Sequence, residues 1–214
     1  MKIFLTGFEP FGGSPFNPSE QVVKALQTAP PPDKELVALI LPVDGGRAPG
    51  MLKAALAEHQ PDAVICLGEA GRSVISLERV AVNLLDYRIP DNSGVTVTDQ
   101  PVQVDGPAAY FTTLPLRSLQ TALTTAGIPC ELSLTAGAYL CNQVFYTLMD
   151  TLALSGRQVP AGFIHLPSLL EQVALRGLSQ PSMALEAQVR AIRVVLEMVF
   201  NPEHTESTDL PGKF

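Results

Sequence analysis

Cys141 stands where a strand-like segment gives way to a helix-like one. The alternating residues CELSLT (130–135) indicate a strand, a short glycine-containing turn follows, and LCNQVFYTLMDTLALSG (140–156) has the apolar spacing of a helix. We therefore expect the thiol in the first turn of that helix. Unpaired backbone N–H groups and the positive end of the helix dipole favour a thiolate there. The position suits a nucleophile.

His165 is the histidine best placed to serve such a thiol. It lies inside the apolar run AGFIHLP (161–167), whereas His59 closes a predicted surface helix and His204 is near the C-terminus. An isolated histidine in an apolar strand more often bonds a backbone carbonyl, but a cysteine nucleophile needs a base within hydrogen-bond distance. We therefore take His165 as the candidate base.

A base of this kind also needs a group that orients it, and three acidic residues are candidates. Glu9, Glu69 and Glu78 all lie close to predicted strand ends. The ordinary interpretation of each is a solvated loop carboxylate. Sequence spacing does not choose among the three.

The loop GFEPFGG (7–13) carries two phenylalanines, Phe8 and Phe11. It lacks the Lys-Ser/Thr of a P-loop, and its glycines do not form G-x-G-x-x-G, so we do not expect it to bind phosphate. Two exposed phenylalanines would suit a flat apolar ligand. The alternative is a loop that folds back and buries them.

Composition excludes several classes of function. The 214 residues carry a net charge of −7 without a basic run, so we expect neither nucleic acid nor an anionic membrane as partner. No apolar stretch approaches the length of about 20 residues that spans a membrane. None of the three cysteines has C-x-x-C spacing, and no histidine pattern predicts a metal. We interpret Cys66 and Cys130 as packing residues, and the protein as cytoplasmic with reduced thiols.

Strand-like and helix-like segments alternate along the chain. This order predicts an α/β fold, in which helices cover both faces of a largely parallel sheet, and a single domain over residues 1–214. The predicted strands are 2–8, 35–43, 62–68, 79–85, 130–135 and 161–167; the predicted helices are 18–29, 48–60, 114–127, 140–156 and 183–200. Ligands of such sheets bind at the carboxyl ends of strands, which is where the residues above collect.

Two segments depart from this alternation. Residues 86–110 are rich in Pro, Gly, Asp and Asn, which indicates a long excursion that could include a small hairpin and contribute to a site or an oligomer contact. Residues 201–214 are polar, and we expect them to be held against their own domain or a neighbouring subunit.

Several motifs in a fixed order resemble pyroglutamyl peptidase I, a family of cysteine peptidases also called pyrrolidone carboxyl peptidases. They are TGFEPFGG with NPS, GEAGR, ERVAVN, RIPDN, TAGAYLCN and GFIHLP with EQ, and the resemblance covers about residues 2–200. Two departures stand out: the family usually has GQAGGR where this chain has GEAGR, and LPSLLEQ lacks a proline common before EQ.

The resemblance implies an activity and the residues that carry it. The activity is hydrolysis of N-terminal pyroglutamyl residues through a thioester, without a cofactor or metal. Carried over by position, the roles are nucleophile Cys141, base His165, orienting acid Glu78, oxyanion-side arginine Arg88, and the ring-binding pair Phe8 and Phe11. The family fold is a three-layer α/β/α sandwich around a twisted sheet. Its members are generally cytosolic homo-oligomers, so a homotetramer or homodimer is expected.

Two other classes of function stay open from the residues alone. One is a phosphorylase-like enzyme, which would need a phosphate site for which no basic cluster is visible. The other is a catalytically inactive ligand-binding protein of the same fold, in which Cys141 is structural.

Overall fold

A computed structural model describes residues 1–177 and 179–200. Its strands are β1 (Lys2–Phe8), β2 (Glu35–Leu41), β3 (Ala63–Glu69), β4 (Ile75–Glu78), β5 (Val80–Val82), β6 (Ala109–Phe111), β7 (Cys130–Ser133) and β8 (Ala161–Leu166). Its helices are α1 (Pro18–Thr28), α2 (Ala48–His59), α3 (Leu116–Thr125), α4 (Leu140–Leu154), α5 (Leu170–Arg176) and α6 (Leu185–Met198).

Six of these strands form one sheet in the order β2-β1-β3-β8-β4-β7. The first four strands of this order run parallel to one another. β4 is antiparallel to β8 and parallel to β7, so the last two strands run in the opposite direction. The predicted α/β fold with a largely parallel sheet is confirmed.

Each face of the sheet packs against its own set of helices. Alternate residues of a strand point to opposite faces. In β1, Ile3 and Leu5 therefore join a buried cluster with α1, α3 and α6, whereas Phe4 joins a second cluster with α2 and α4. The result is the expected three-layer sandwich, and the second cluster underlies the candidate site.

Helix boundaries follow local signals in the sequence. Asn17 caps α1 by accepting a hydrogen bond of 3.0 Å from Ser19 N, and Pro18 occupies the first helical position, where its missing N–H costs nothing. Gly127 and Gly156 follow the ends of α3 and α4 with φ of 71° and 67°. Both were predicted as stops, because glycine adopts this left-handed conformation without strain.

The strand predicted at 79–85 is wrong as a member of the main sheet. The chain instead places the preceding residues Ile75–Glu78 in the sheet as fully buried β4. After Arg79, Val80–Val82 leaves the sheet and pairs with β6 as a separate antiparallel ribbon. The apolar run at 79–85 therefore spans a change of direction rather than one strand, which alternation of residue types alone does not reveal.

The remaining expectations concern the irregular segments. Residues 86–110 form a long excursion that begins at a bridge between Leu85 and Gln100 and ends in β6. α5 was not predicted; its seven residues end at Gly177, whose φ is 59°. The expectation for residues 201–214 falls outside the described residues. In the part of the chain that the structure describes, no helix has the length and apolar character needed to cross a membrane.

Candidate active site

Cys141 is the second residue of α4, as predicted. The chain turns into the helix through Gly137, whose φ of 78° is a conformation that glycine adopts readily. The sulfur packs against the end of β3. A Cβ added at Gly68 would lie 2.8 Å from Cys141 Sγ and 2.8 Å from the Phe163 ring, so only glycine leaves room for the thiol there.

The thiol faces a cavity of about 400 Å³. Its lining comes from the predicted segments: the loop after β1, the end of β3 with residues 70–72, the turn before α4, and the end of β8. β7 is antiparallel to β1, β3 and β8, so its carboxyl end does not lie at the same edge of the sheet as theirs. The chain after β7 reaches the cavity through residues 136–139 instead. The lining residues used below are Phe8, Phe11, Glu69, Arg72, Arg88, Tyr139, Cys141 and His165.

His165 and Glu78 form a buried pair beside the thiol. His165 Nδ1 lies 2.7 Å from Glu78 Oε1, and the two residues are 4% and 0% exposed. The register explains the contact: Ser76 of β4 pairs directly with His165, which leaves Glu78 as its diagonal neighbour on the same face. The Glu78 carboxylate can accept a hydrogen bond from the N–H at Nδ1. In that tautomer the lone pair of Nε2 is available to the thiol. Within residues 1–177 and 179–200, no hydrogen bond joins His165 to Cys141 Sγ.

Of the three acidic candidates, the structure brings only Glu78 to His165. Glu9 Oε1 accepts hydrogen bonds of 3.0 Å from Val43 N and 2.8 Å from Asn92 Nδ2, so it fastens the 86–110 excursion. Glu69 lines the cavity, but its Oε1 accepts from Ser168 Oγ at 2.7 Å, and both its oxygens accept from Gln172 Nε2.

Arg72 is the residue that sequence reasoning missed. Its Nη1 lies 2.8 Å from Glu78 Oε1, the same oxygen that His165 contacts, and its Nη2 donates a 2.7 Å hydrogen bond to Thr135 O. A second carboxylate, Glu131, lies 3.7 Å from Nη1. The available signal was the arginine that ends GEAGR, close to a predicted strand end, but nothing in the sequence connected it to Glu78.

The pKa of the Cys141 thiol is raised, which reverses the direction expected from its helix position. Burial raises the pKa of Cys141 to about 12, and the charges of Glu78 and Glu69 add to the increase. The backbone N–H of Cys141 and the guanidinium of Arg72 lower this pKa, but by less. The helix N-terminus is therefore outweighed by desolvation.

Aromatic rings form one wall of the cavity. Phe8 is buried at the end of β1 and also belongs to the core, whereas Phe11 is half-buried in the following loop. Tyr139, which was not predicted, lies with its ring centre 6.5 Å from that of Phe11 and donates a 3.1 Å hydrogen bond to Pro90 O. Both open interpretations of the phenylalanines therefore hold in part, because Phe8 is core and cavity wall at once.

Arg88 also reaches the cavity, on an exposed stretch of the excursion. Next to Arg88, Tyr87 donates a 2.7 Å hydrogen bond from its hydroxyl to Gln143 Oε1 of α4. The backbone just before the excursion is held to α4 by Asn142, whose side chain is buried. Asn142 Oδ1 accepts from Val82 N at 2.9 Å, and Nδ2 donates to Val82 O at 2.9 Å and Leu84 O at 3.0 Å. In the described residues, no group of three or more His, Cys, Asp or Glu side chains is arranged to hold a metal ion.

A sandwich fold with a thiol at a helix start and an imidazole–carboxylate pair in the same cavity has the arrangement of cysteine hydrolases. Comparison with known proteins narrows this class. Residues 1–201 match the family described as pyroglutamyl peptidase, and the chain belongs to that family.

Relatives and solved structures agree along nearly the whole chain. The pyrrolidone-carboxylate peptidase of Vibrio vulnificus is 43% identical over 97% of this chain and 98% of its own. The enzyme of that name from Pyrococcus furiosus is 42% identical over 92% of this chain and 97% of its own. A crystal structure of a mutant pyrrolidone carboxyl peptidase from P. furiosus superposes with a TM-score of 0.90 at 41% identity, covering 93% of this chain and 98% of its own.

Proposed function

We propose that this chain is a cysteine peptidase that removes N-terminal pyroglutamyl residues from peptides, with Cys141 as nucleophile, His165 as base and Glu78 as orienting acid. The observation that carries the proposal is the buried His165–Glu78 pair, 2.7 Å apart, whose imidazole lines the same cavity as Cys141. Membership of the pyroglutamyl peptidase family supplies the substrate class.

Catalysis begins with a neutral thiol, in agreement with the raised pKa of Cys141. His165 Nε2 takes the thiol proton as the sulfur attacks the pyroglutamyl carbonyl carbon. Catalytic hydrogen bonds often tighten only once substrate is bound, so the absence of a Cys141–His165 bond in the free enzyme is compatible with this step. Glu78 keeps the Nδ1 proton in place and stabilises the imidazolium that forms.

The tetrahedral oxyanion needs donors, and the first amides of α4 have no intrahelical partners. These amides lie beside Cys141, and Arg88 adds a positive charge to the cavity. Donors of this kind contribute about 3–4 kcal/mol each in well-studied acyl transfer. His165 then gives its proton to the leaving amine, and the C–N bond breaks to leave a thioester. Water, deprotonated by His165, attacks the thioester and releases pyroglutamate and the thiol.

The aromatic wall of the cavity suits the flat ring of a five-membered lactam. Phe8, Phe11 and Tyr139 offer apolar surface. Two carboxylates also line the cavity: Glu69 accepts hydrogen bonds from Ser168 and Gln172, and Asp86 lies exposed on the segment that carries Arg88. We assign ring binding to Phe8 and Phe11, as the family resemblance implied, and add Tyr139.

Arg72 is a positioning residue in this proposal. A carboxylate that is 0% exposed is costly to keep ionised without compensation. Arg72 supplies a compensating charge 2.8 Å from Glu78 Oε1 and is itself held by Thr135 O. Glu78 can then act on His165 as an anion.

Further parts of the proposal concern the whole protein. We propose one peptidase domain over residues 1–214, without a cofactor, acting in the cytoplasm as a homodimer or homotetramer. Support for assembly comes from large apolar side chains at the surface, among them Phe111 at 49% and Leu154 at 80% exposure near the β5–β6 ribbon and the end of α4. Sedimentation equilibrium would give the mass of the assembly.

The proposed function is tested by the release of a chromophore from pyroglutamyl, prolyl and alanyl amides. Only the pyroglutamyl amide should be cleaved well. Proline shares the ring but lacks the lactam carbonyl, so a site with desolvated partners for that carbonyl should reject it by about 10⁴-fold. Cys141→Ser should fold normally and lose several orders of magnitude in kcat, whereas Cys130→Ser should stay active because Cys130 is outside the cavity.

A variant of the aromatic wall separates ring binding from thiol chemistry. Phe11→Ala should raise KM for the pyroglutamyl amide but leave the rate of Cys141 alkylation by iodoacetamide unchanged. Comparable cleavage of prolyl and pyroglutamyl amides would contradict the assigned ring site. An inactive wild-type protein whose cavity still binds pyroglutamate would favour the inactive binding protein, and phosphate-dependent cleavage of a nucleoside would favour the phosphorylase-like enzyme.

A further inference from the structure

We propose that a second cavity beside the catalytic one binds the peptide that follows the pyroglutamyl residue, and that it favours a carboxylate on that peptide. This inference rests on the proposed function, since it names a preference among pyroglutamyl substrates. The cavity has a volume of about 900 Å³ and lies along the loop of residues 69–72. It shares this loop, Phe11 and residues 88–89 with the catalytic cavity, so the two spaces are continuous.

The position of the second cavity fits the leaving side of the scissile bond. The catalytic cavity, at about 400 Å³, is the smaller of the two, and its lining includes Cys141 and the aromatic wall. The second cavity contains neither Cys141 nor His165 among its lining residues. A peptide whose first residue occupies the smaller space must continue outward, and the shared 69–72 loop leads into the larger one.

Of the three arginines that line this cavity, one has an ion-pair partner and two do not, among the described residues. Arg88 and Arg176 are both exposed, and neither has an ion-pair partner within residues 1–177 and 179–200. Arg72, by contrast, is paired with Glu78 at 2.8 Å. A carboxylate brought into this space would therefore meet two guanidinium groups whose positive charge no ion pair offsets, and arginine binds carboxylates with two parallel hydrogen bonds.

The two acidic residues that line the same cavity do not form ion pairs with Arg88 or Arg176. Glu69 accepts hydrogen bonds from Ser168 and Gln172. Asp91 is 6% exposed and accepts from Gly45 N at 3.0 Å and from Ser93 Oγ at 2.7 Å, as well as from two further backbone amides. Both carboxylates are thus directed at neighbouring donors, whereas the arginines are free to move towards a ligand.

The preference is local, because the protein as a whole carries a charge of −7 and repels anions at a distance. A carboxylate should be favoured only once the peptide is bound, so the effect should appear mainly in KM. Exposed ion pairs contribute little each, which sets the expected preference at about two- to five-fold.

The test compares pyroglutamyl peptides that differ only in charge. Wild-type kcat/KM is measured by pyroglutamate release from pyroglutamyl-alanyl-glutamine amide and pyroglutamyl-alanyl-glutamate amide, at low ionic strength. A second pair, pyroglutamyl-alanyl-alanine as free acid and as amide, distinguishes a side-chain carboxylate from a C-terminal one. We expect the charged member of at least one pair to be about two- to five-fold better, and the advantage to fall in about 1 M salt, where the Debye length is about 3 Å.

Arg176 provides the discriminating variants, because it is exposed and lies outside the catalytic cavity. Arg176→Gln should reduce the charge preference towards one, Arg176→Lys should retain part of it, and Arg176→Glu should reverse it. All three should cleave a neutral pyroglutamyl chromogenic amide as wild type does. The matched control is Arg190→Gln on α6, which is exposed and does not line this cavity and should leave the preference intact.

Each outcome bears on a different statement. Equal kcat/KM within both peptide pairs for wild type would overturn the inference, as would an Arg176→Gln variant that keeps the full preference. Failure of wild type to cleave the neutral chromogenic amide would instead refute the proposed function. If Arg176→Gln lowered activity on charged and neutral peptides equally, Arg176 would be structural and the inference would fall.

Discussion

A single oxygen atom, Glu78 Oε1, contacts both the proposed base His165 and Arg72. It lies 2.7 Å from His165 Nδ1 and 2.8 Å from Arg72 Nη1. The other carboxylate oxygen, Oε2, is buried and has no hydrogen-bond partner among the described residues. Glu78 thus contacts two groups: the guanidinium of Arg72, which is always positively charged, and the imidazole of His165, which becomes positively charged in the proposed reaction.

The charge of Arg72 predicts a pH effect on the thiol. Removing it should raise the pKa of Cys141 further, because Arg72 lowers this pKa whereas Glu78 and Glu69 raise it. In Arg72→Gln the pH profile of Cys141 alkylation by iodoacetamide should move to higher pH. The alkylation rate is measured from neutral to alkaline pH.

Arg72→Lys is the conservative control for this prediction. It keeps the charge but cannot contact Glu78 and Thr135 O in the same two-pronged manner. Its alkylation profile should stay near that of wild type, while kcat falls. If the alkylation profile of Arg72→Gln matched that of wild type, the arginine would support the loop only and would not act on the thiol.

At the scale of elements, the side chain of Asn142 connects α4 to the backbone that leads into the Arg88 segment. Asn142 makes three hydrogen bonds to the backbone of Val82 and Leu84. Asn142→Ala removes these bonds, and a polar group that stays buried without a partner costs about 1–3 kcal/mol. We therefore expect a clear drop in Tm. The kcat should fall less, because Gln143 of α4 still accepts a 2.7 Å hydrogen bond from Tyr87, the neighbour of Arg88.

Thr151→Ala is a matched control on the same helix. Its hydroxyl donates a 2.7 Å hydrogen bond to Thr147 O of its own helix and joins no other segment. Calorimetry should show a much smaller loss of stability than for Asn142→Ala, and kcat should not change. Equal effects of the two substitutions would mean that Asn142 contributes only to α4 itself.

Elements with a clear period could be predicted from the sequence, and short ones could not. β1 and α4 carry strong apolar patterns and were found within a few residues of their predicted bounds. β4 has only four residues, so no period develops, and its antiparallel direction comes from pairing with β8 across the chain. For that reason the spacing of residues in the sequence could not predict the contact between Glu78 and His165. The role of Arg72 beside Glu78 was not predicted either.

The whole molecule should lose stability in alkali. Burial raises the pKa of Cys66 and of Cys141 from 9.0 to about 12, and that of Tyr87 and Tyr139 from 10.0 to about 12. These groups stay protonated in the fold at a pH where the unfolded chain releases their protons. This stability is therefore complete below about pH 9 for the cysteines and below about pH 10 for the tyrosines, and it is lost as pH rises towards 12. For the fully buried Cys66 the loss is about 1.4 kcal/mol per pH unit, and it is smaller for the tyrosines, which are less deeply buried and partly screened by water.

Cys66 isolates one contribution, because it is 0% exposed and lies away from the cavity. Cys66→Ala should lower the unfolding free energy at pH 7 by a packing cost, yet make it fall less steeply between about pH 9 and 11. Urea unfolding across that range measures the slope. A slope identical to that of wild type would show that Cys66 ionises equally easily in the folded and unfolded chain.

The place of β8 in the sheet has a consequence for the order in which the enzyme is made. It is the last strand of the residues that the structure describes, yet it lies between β3 and β4 and joins β2-β1-β3 to β4-β7. During synthesis the ribosome releases Cys141 before His165, and the two parts of the sheet are not paired with each other until residues 161–166 emerge. Folding of such distant pairings is slow. The strand that completes the sheet also carries the proposed base, so in a nascent chain the proposed nucleophile lacks that base until the sheet is complete.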